Sequence, residues 1–462
     1  MKFSSKKFLF KLVFENLCCL LAIIAGLFVL CYKEVWSQEF PQPLMSMATL
    51  KLEDLEQMAL ENNPTLAQTT DAVRIAEGQK IQAGLYPNPK LGYAGEDIGI
   101  STPFQRSQHY LFIEQRVVIA GKLKHRRNVL GQAQAQAEMR QVIQKIRVLN
   151  DLQHLYYEAL GAQKFLELRQ ELARIAREAV ETTEQLYNIG QADQPDLLAA
   201  EIEEQQVELD LASAMSELER IWGLLAVLIG KPELPRAYLL GDFEIESSKF
   251  NQETVLDSLL RESPEVKMAL LGVERAKSSL QRAKAERFPD LFLRGGFGYN
   301  REVEDFQMLI EVGIPLPLFD RNQGNIASAK AELDSAEHEV SRLKLALRAQ
   351  LESVVQSYLN LLRRVERYQT EILPRAQKAY DLYQTSFQQM AAAYPQVLIA
   401  QRTLFQLKTD YVRALVALWQ SVVRIQGMLL TGGLNAPGDA TFRVDIEFSA
   451  MPGFQNNLEE GR

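Results

Sequence analysis

Two long stretches of the chain carry apolar residues spaced alternately four and three apart. Leu347, Leu351, Val354, Tyr358, Leu361, Val365, Tyr368 and Ile372 form one stripe. Leu168, Leu172, Ile175, Ala179, Thr182, Leu186 and Ile189 form the other. This spacing predicts helices that bury a narrow seam against partner helices. They run roughly over 121–188 and 322–389, and Pro374 is the only proline inside either. At about 1.5 Å of rise per residue, each reaches about 100 Å, too long for an ordinary globular core. Turns at 190–195 and 390–395 lead into returning helices. A plain antiparallel bundle accounts for the helices but not for the segments between them.

Those segments change period from 3.5 to two. Leu291, Leu293, Gly295, Phe297 and Tyr299 alternate with Phe292, Arg294, Gly296, Gly298 and Asn300. Met308, Ile310, Val312 and Ile314 oppose Gln307 and Glu311. Earlier, Leu111, Ile113 and Val117 oppose Glu114 and Arg116, and Leu91 and Tyr93 oppose Gly92, Ala94 and Glu96. Four strands are predicted, apolar on one face and polar or small on the other. Their length approaches the roughly 9–11 residues that cross a bilayer as a tilted strand. A small soluble sheet packed on a helix has the same alternation. Four strands cannot close a barrel, and open edges are not tolerated in lipid. Membrane-spanning strands would therefore need several copies of the chain in one barrel, and the pattern alone does not choose between two and three. In such a barrel Glu114, Arg116, Arg294 and Glu311 would face the lumen.

The two patterns recur in a single register. Ala59–Leu66 corresponds to Leu259–Val266, Pro89-Lys90-Leu91 to Pro289-Asp290-Leu291, and Pro195–Ala200 to Pro395–Ala400, all at an offset of 200. Asp210 and Asp410 keep it too. The chain therefore reads as two tandem repeats, residues 50–232 and 251–430, joined by a linker at 233–250 and followed by a loose Gly/Pro-rich tail at 431–462. Each repeat runs helix, strand, strand, long helix, turn, helix, and the fold class is mainly α with a small β part. Asn63-Pro64 and Ser263-Pro264 restart the first helix of each half as N-cap and first helical residue.

Residues 1–37 read as a signal peptide. Lys2, Lys6, Lys7 and Lys11 make a basic start and Leu17–Leu30 an apolar run, with cleavage expected before Gln38. Cys18, Cys19 and Cys31 all lie within it, so the exported chain has no cysteine and is more acidic than the −8 of the whole. That acidity disfavours a nucleic-acid partner. Disulfides, Cys-based zinc sites and Cys nucleophiles drop out together.

Little else carries chemistry. His109, His125, His154 and His338 are scattered. No Gly-rich phosphate loop sits between strand and helix, and Gly295-Gly296-x-Gly298 lies inside a strand as lumen or close-packing glycine. Lys122, Lys124, His125, Arg126 and Arg127 read equally as a contact for anionic headgroups and as a solvated helix start. Glu201, Glu203 and Glu204 read as a solvated face. No cofactor, metal site or catalytic residue is expected.

The layout resembles the TolC-type outer-membrane efflux proteins over residues 50–430. The resemblance rests on Asn63-Pro64, Gly84–Pro89, Ile314–Asn322, and the turn from Leu186-Tyr187 and Gly190 to Pro195 and Leu197-Leu198. It implies a homotrimer whose shared 12-stranded barrel sits in outer-membrane lipid above a periplasmic helical tunnel. That tunnel would dock a periplasmic adaptor and an inner-membrane, proton-driven pump. Leu85–Tyr93, Glu96–Gly99, Glu114-Gln115 and Ala120–Leu123 are similar to the heavy-metal exporter branch. On this reading Gly190, Gln191, Pro195, Asp196, Met390, Tyr394 and Pro395 form the periplasmic turns and adaptor contact, and Gln396 and Ile399 the tunnel gate. Met390 stands where the family usually has glycine. Gln396 and Ile399 replace an acidic pair found in some members, which removes a cation-binding ring there. The implied function is a passive exit duct, with metal ions, organic toxicants or secreted polypeptide as cargo. The rivals are a periplasmic coiled-coil scaffold without a pore and, further off, a metal-dependent hydrolase.

Overall fold

The computed structural model describes residues 49–98, 107–243, 251–389, 391 and 394–437. The leader, the linker residues 244–250, Met390 and the tail beyond 437 lie outside the described residues. Thr49, Leu50 and Arg236–Tyr238 form a small unit of their own. The rest contains nine α-helices and four strands among the described residues. In the first repeat these are α1 (Leu52–Asn62), α2 (Pro64–Ala83), β1 (Lys90–Glu96), β2 (Gln108–Val117), α3 (Lys122–Asn188) and α4 (Gln194–Ile229). In the second they are α5 (Gln252–Glu262), α6 (Pro264–Glu286), β3 (Leu291–Asn300), β4 (Asp305–Gly313), α7 (Gln323–Arg367), α8 (Leu373–Gln388) and α9 (Tyr394–Gln426). A π-turn at Tyr368–Ile372 joins α7 to α8.

The restarts follow the expected chemistry unevenly. The Asn63 side chain accepts from Thr65 N at 2.9 Å and donates to Leu228 O at 2.7 Å, so one buried amide caps α2 and ties it to α4. Ser263 precedes Pro264 in the same way, but its buried hydroxyl has no partner.

The strands form one antiparallel sheet in the order β1-β2-β3-β4. The helices above it keep that lateral order: α2 packs on α3, α3 on α6, and α6 on α7. Each connection enters or leaves the sheet directly below its own helix, so the two repeats lie side by side.

The seam is broader than the 3.5-residue period predicts. In α7, Leu347, Leu351, Tyr358 and Val365 are buried as expected, but Val355 and Leu362 replace Val354 and Leu361. In α3, Leu172 is buried with Ala173, Ala176 and Thr183, while Ile189 is exposed. A straight α-helix drifts from a strict 3.5 repeat. Each long helix also packs against more than one neighbour, which widens the buried face. The cluster Leu259, Val266, Leu351, Val355, Leu415 and Leu418 joins α5, α6, α7 and α9.

Beyond α9 the chain is pinned rather than loose as far as it is described. Asn150 donates to Gly427 O and Leu430 O, both at 2.8 Å. Asp151 accepts from Gly432 N and Gly433 N.

Candidate channel surfaces

The sheet has two unlike faces. Leu91, Tyr93, Leu111, Ile113, Phe297, Met308, Ile310 and Val312 share one, and all are exposed, Leu91 at 75% and Ile310 at 72%. A contiguous apolar face of this size marks a surface made for something other than water. The opposite face carries Lys90, Glu114, Arg294 and Glu311 in one register row, one from each strand. Their signs alternate. Lys90 meets Glu114 at 3.5 Å and Arg294 meets Glu311 at 3.5 Å.

Glycine shapes the same face. Phe112 lies between Gly92 and Gly296, and Tyr110 lies against Gly298. A Cβ on Gly296 would meet Leu111 O at 2.7 Å, and one on Gly298 would meet His109 O at 2.4 Å. Both rings therefore lie flat along the wall, and the Arg294 guanidinium sits 3.7 Å above the Phe112 ring. Gly295 points to the other face into open space.

Where sheet meets helix, the charges are buried. Asp290, just before β3, accepts from Arg116 Nε at 2.8 Å, Lys122 Nζ at 2.7 Å and Ile119 N at 3.3 Å. Glu286 takes Arg126 at 2.8 Å and stands 3.7 Å from Lys122. Burial alone would raise the Asp290 carboxyl, but Lys122 and Arg116 hold it below the usual carboxylate range. Ala120 and Gly121 turn from strand to helix with φ of 56° and 68°, and Asn322 does so in the second repeat at 61°. This corrects both readings for Lys122, which is 3% exposed and neither meets headgroups nor lies in water, while Lys124 and Arg127 of the same cluster are exposed. Arg116 shares the polar face of the strands, but its charge is spent on Asp290.

At the far end the two turns are built alike. Gln191 N donates to Leu186 O and Ala391 N to Ser386 O, both at 2.8 Å and 200 residues apart. These bonds cap carbonyls left free at the helix ends. Gly190 takes φ of 75°. Gly190, Gln191, Pro195, Pro395, Gln396 and Ile399 are exposed and Asp196 is half-buried. Tyr394 is buried, and burial followed by nearby Glu203 pushes its hydroxyl up to about 12. Glu203 is itself buried and receives Arg402 from α9, which corrects its reading as part of a solvated face. Arg169, Leu172, Glu203, Val207, Arg402 and Phe405 line an open groove of about 530 Å³ between α3, α4 and α9.

Sequence reasoning missed Asp290 and the Glu203–Arg402 pair. Asp290 gave one signal, a charge immediately before an apolar strand. No group of three or more metal-ligating side chains exists among the described residues, and no described helix is long and apolar enough to cross a membrane.

The outer membrane efflux protein family matches residues 55–231 and 255–429, the two repeats of the fold. The chain belongs to that family. This efflux protein is 28% identical over 390 residues to the cobalt-zinc-cadmium resistance protein CzcC of Cupriavidus metallidurans, covering 84% of this chain and 91% of CzcC. It is 22% identical over 371 residues to the cation efflux system protein CusC of Escherichia coli O157:H7, covering 75% and 78%. The crystal structure of the Campylobacter jejuni CmeC outer membrane channel superposes with a TM-score of 0.70 at 14% identity, covering 84% and 87%. The efflux protein is an outer-membrane channel with a helical periplasmic part, and it is not an enzyme.

Proposed function

We propose that three copies of the chain form the exit duct of a tripartite efflux system that carries divalent metal cations. The observation behind it is the four-stranded sheet: exposed and apolar on one face, charged on the other, with strands at both edges free to pair. Three copies supply twelve strands, enough to enclose a water-filled lumen. The apolar face then meets lipid, and Glu114, Arg294 and Glu311 face the water. Arg116 holds the base of the barrel through Asp290.

The hairpin ends meet the inner-membrane machinery. Gly190, Gln191, Pro195, Asp196, Met390 and Pro395 form the adaptor contact, Gln396 and Ile399 the constriction. Tyr394 keeps the second tip against α4. The metal cargo rests on the names of two relatives, a cobalt-zinc-cadmium resistance protein and a cation efflux system protein. Organic compounds and polypeptides are the other cargoes such a duct serves.

Membrane fractionation of a tagged chain, followed by sizing in mild detergent, tests the duct. An outer-membrane trimer is expected, and a soluble monomer or dimer would return the strands to an ordinary packed sheet. A deletion strain should then lose growth on cobalt, zinc or cadmium before it loses growth on organic toxicants.

A further inference from the structure

The free edges of the sheet carry apolar side chains that none of the described residues covers. On one edge, β4 leaves the sheet through Ile314-Pro315-Leu316-Pro317-Leu318-Phe319. Leu316 and Leu318 are exposed, and Phe319 is 91% exposed. This segment has a built conformation. Leu318 N donates to Leu316 O at 2.9 Å, and Asp320 Oδ1 accepts from Asn322 N at 2.9 Å. Asn322 Nδ2 then donates to Ala283 O at 2.7 Å, fixing the segment to α6. Two prolines restrict the backbone of Leu316 and of their neighbours. The helix that follows is bare on this side: from 323 to 346, only Ala329 and Val340 are buried.

The opposite edge has its own apolar corner at the same level. Ile75 and Ile81 lie on α2 and are both exposed. Leu85 and Tyr86 follow α2 immediately before β1, and both are exposed. The lateral order makes these two corners the ends of one row: α2 and β1 at one end, α7 and β4 at the other.

We propose that the Leu316–Phe319 segment of one copy seats on the Ile81–Tyr86 corner of the next copy, closing a collar between barrel and helices. The occupant is a second copy of this chain because both surfaces continue the two free edges of the sheet, which the shared barrel joins copy to copy. A prefixed apolar segment also loses little conformational freedom on docking. The collar rests on the shared-barrel reading and adds to it a seal at the level where lipid gives way to water.

The exported chain has no cysteine of its own, so Tyr86→Cys and Phe319→Cys can be introduced singly and together. Bismaleimides of short and long spacer are applied to outer membranes. The double variant should give covalent dimers and trimers, and neither single variant should. A double variant that sizes as a trimer in mild detergent but never cross-links would overturn the collar and leave the duct standing. A soluble monomer would sink the duct itself. In the Phe319→Cys single variant, a bimane label should resist quenching by doxyl phospholipids, because the next copy covers it. Strong quenching would place residue 319 in the bilayer and end the proposal. Phe319→Ser should lower the temperature at which the trimer dissociates in detergent, and Phe319→Leu should restore most of it.

Discussion

The two long helices descend from one repeat but are built differently. In the first half, α3 runs unbroken for 67 residues. In the second, α7 stops at Arg367, a π-turn occupies Tyr368–Ile372, and α8 continues from Leu373. At the offset of 200, Arg174 stands where the second half has Pro374. Proline has no N–H to give Thr370 O, and its ring crowds the preceding turn. The helix widens instead, and Leu373 N reaches back five residues to Tyr368 O. Tyr368 packs near Tyr411, with Arg364 over its ring, which fills the wider turn. Below this point α8 buries only Tyr380 among its described side chains, whereas the matching part of α3 buries Ala173, Ala176 and Thr183. The first hairpin is therefore a continuous strut, and the second carries a local break. A π-turn is where a long helix bends.

The strongest contrast between the halves lies at the strand base, and breaking it should have the largest effect. Asp290 and Lys90 occupy the same repeat position, but Asp290 is buried between two cations, Arg116 and Lys122, with the Ile119 amide, and Lys90 is exposed. Asp290→Ala leaves Lys122 buried without its main partner and should cost about 3–5 kcal/mol. Lys90→Ala removes one surface pair and should cost about 1 kcal/mol or less. Thermal unfolding followed by circular dichroism in detergent measures both. The sign of the pH dependence follows from the lowered Asp290 pKa. Its contribution is complete above the ordinary carboxylate pKa near about 4 and is lost as pH falls through the lower folded value. Asp290→Asn should flatten the acid limb of the stability curve.

Next in size is a swap of the helix break. Arg174→Pro puts into the first half what the second tolerates and should cost about 3 kcal/mol, because no widened turn awaits it. Pro374→Ala returns the missing donor, so amide exchange around 368–374 should slow toward that of the matching α3 segment. If both segments already exchange alike in the unaltered protein, the break does not loosen the second hairpin.

Adjacent glycines sharpen the contrast between the two faces of the sheet. Gly298→Ala sets a Cβ against the His109 carbonyl and the Tyr110 ring and should cost about 1–3 kcal/mol. Gly295→Ala points into open space and should be close to neutral. Equal losses would mean that backbone freedom, and not the room for a ring, explains the glycines.

Much of this was legible in the chain. The offset of 200 located both repeats through the chain's likeness to itself, and a period of two located all four strands, because that signal depends only on local alternation. Asn63 announced its cap through the proline after it. The seam positions were less legible, since a helix wedged between several neighbours buries more than a two-in-seven stripe. The charged pairs were least so. Asp290 meets Lys122 across 168 residues and Glu203 meets Arg402 across 199. Neither partner carries a local pattern, so each looked like an ordinary surface charge.

The smallest effect should come from the row Lys90, Glu114, Arg294 and Glu311. Two cations and two anions alternate across the four strands, so the row is neutral within each chain. Further along the same face Gln307, Tyr110 and Phe112 are uncharged, but the last row adds two carboxylates, Glu96 and Asp305, one on each edge strand. The proposed barrel should then favour cations modestly, through Glu96 and Asp305 rather than through the neutral row. Arg294→Gln leaves that row one negative charge in excess and should move the reversal potential of single channels in a salt gradient further toward cation selectivity. Glu114→Gln should move it the opposite way by a similar amount. Both shifts should shrink as salt rises, because the row lies beside water. Selectivity unchanged in Glu96→Gln and Asp305→Asn would place the dominant charge elsewhere, and the hairpin tips, where Asp196 is half-buried, would be the next surface to neutralise.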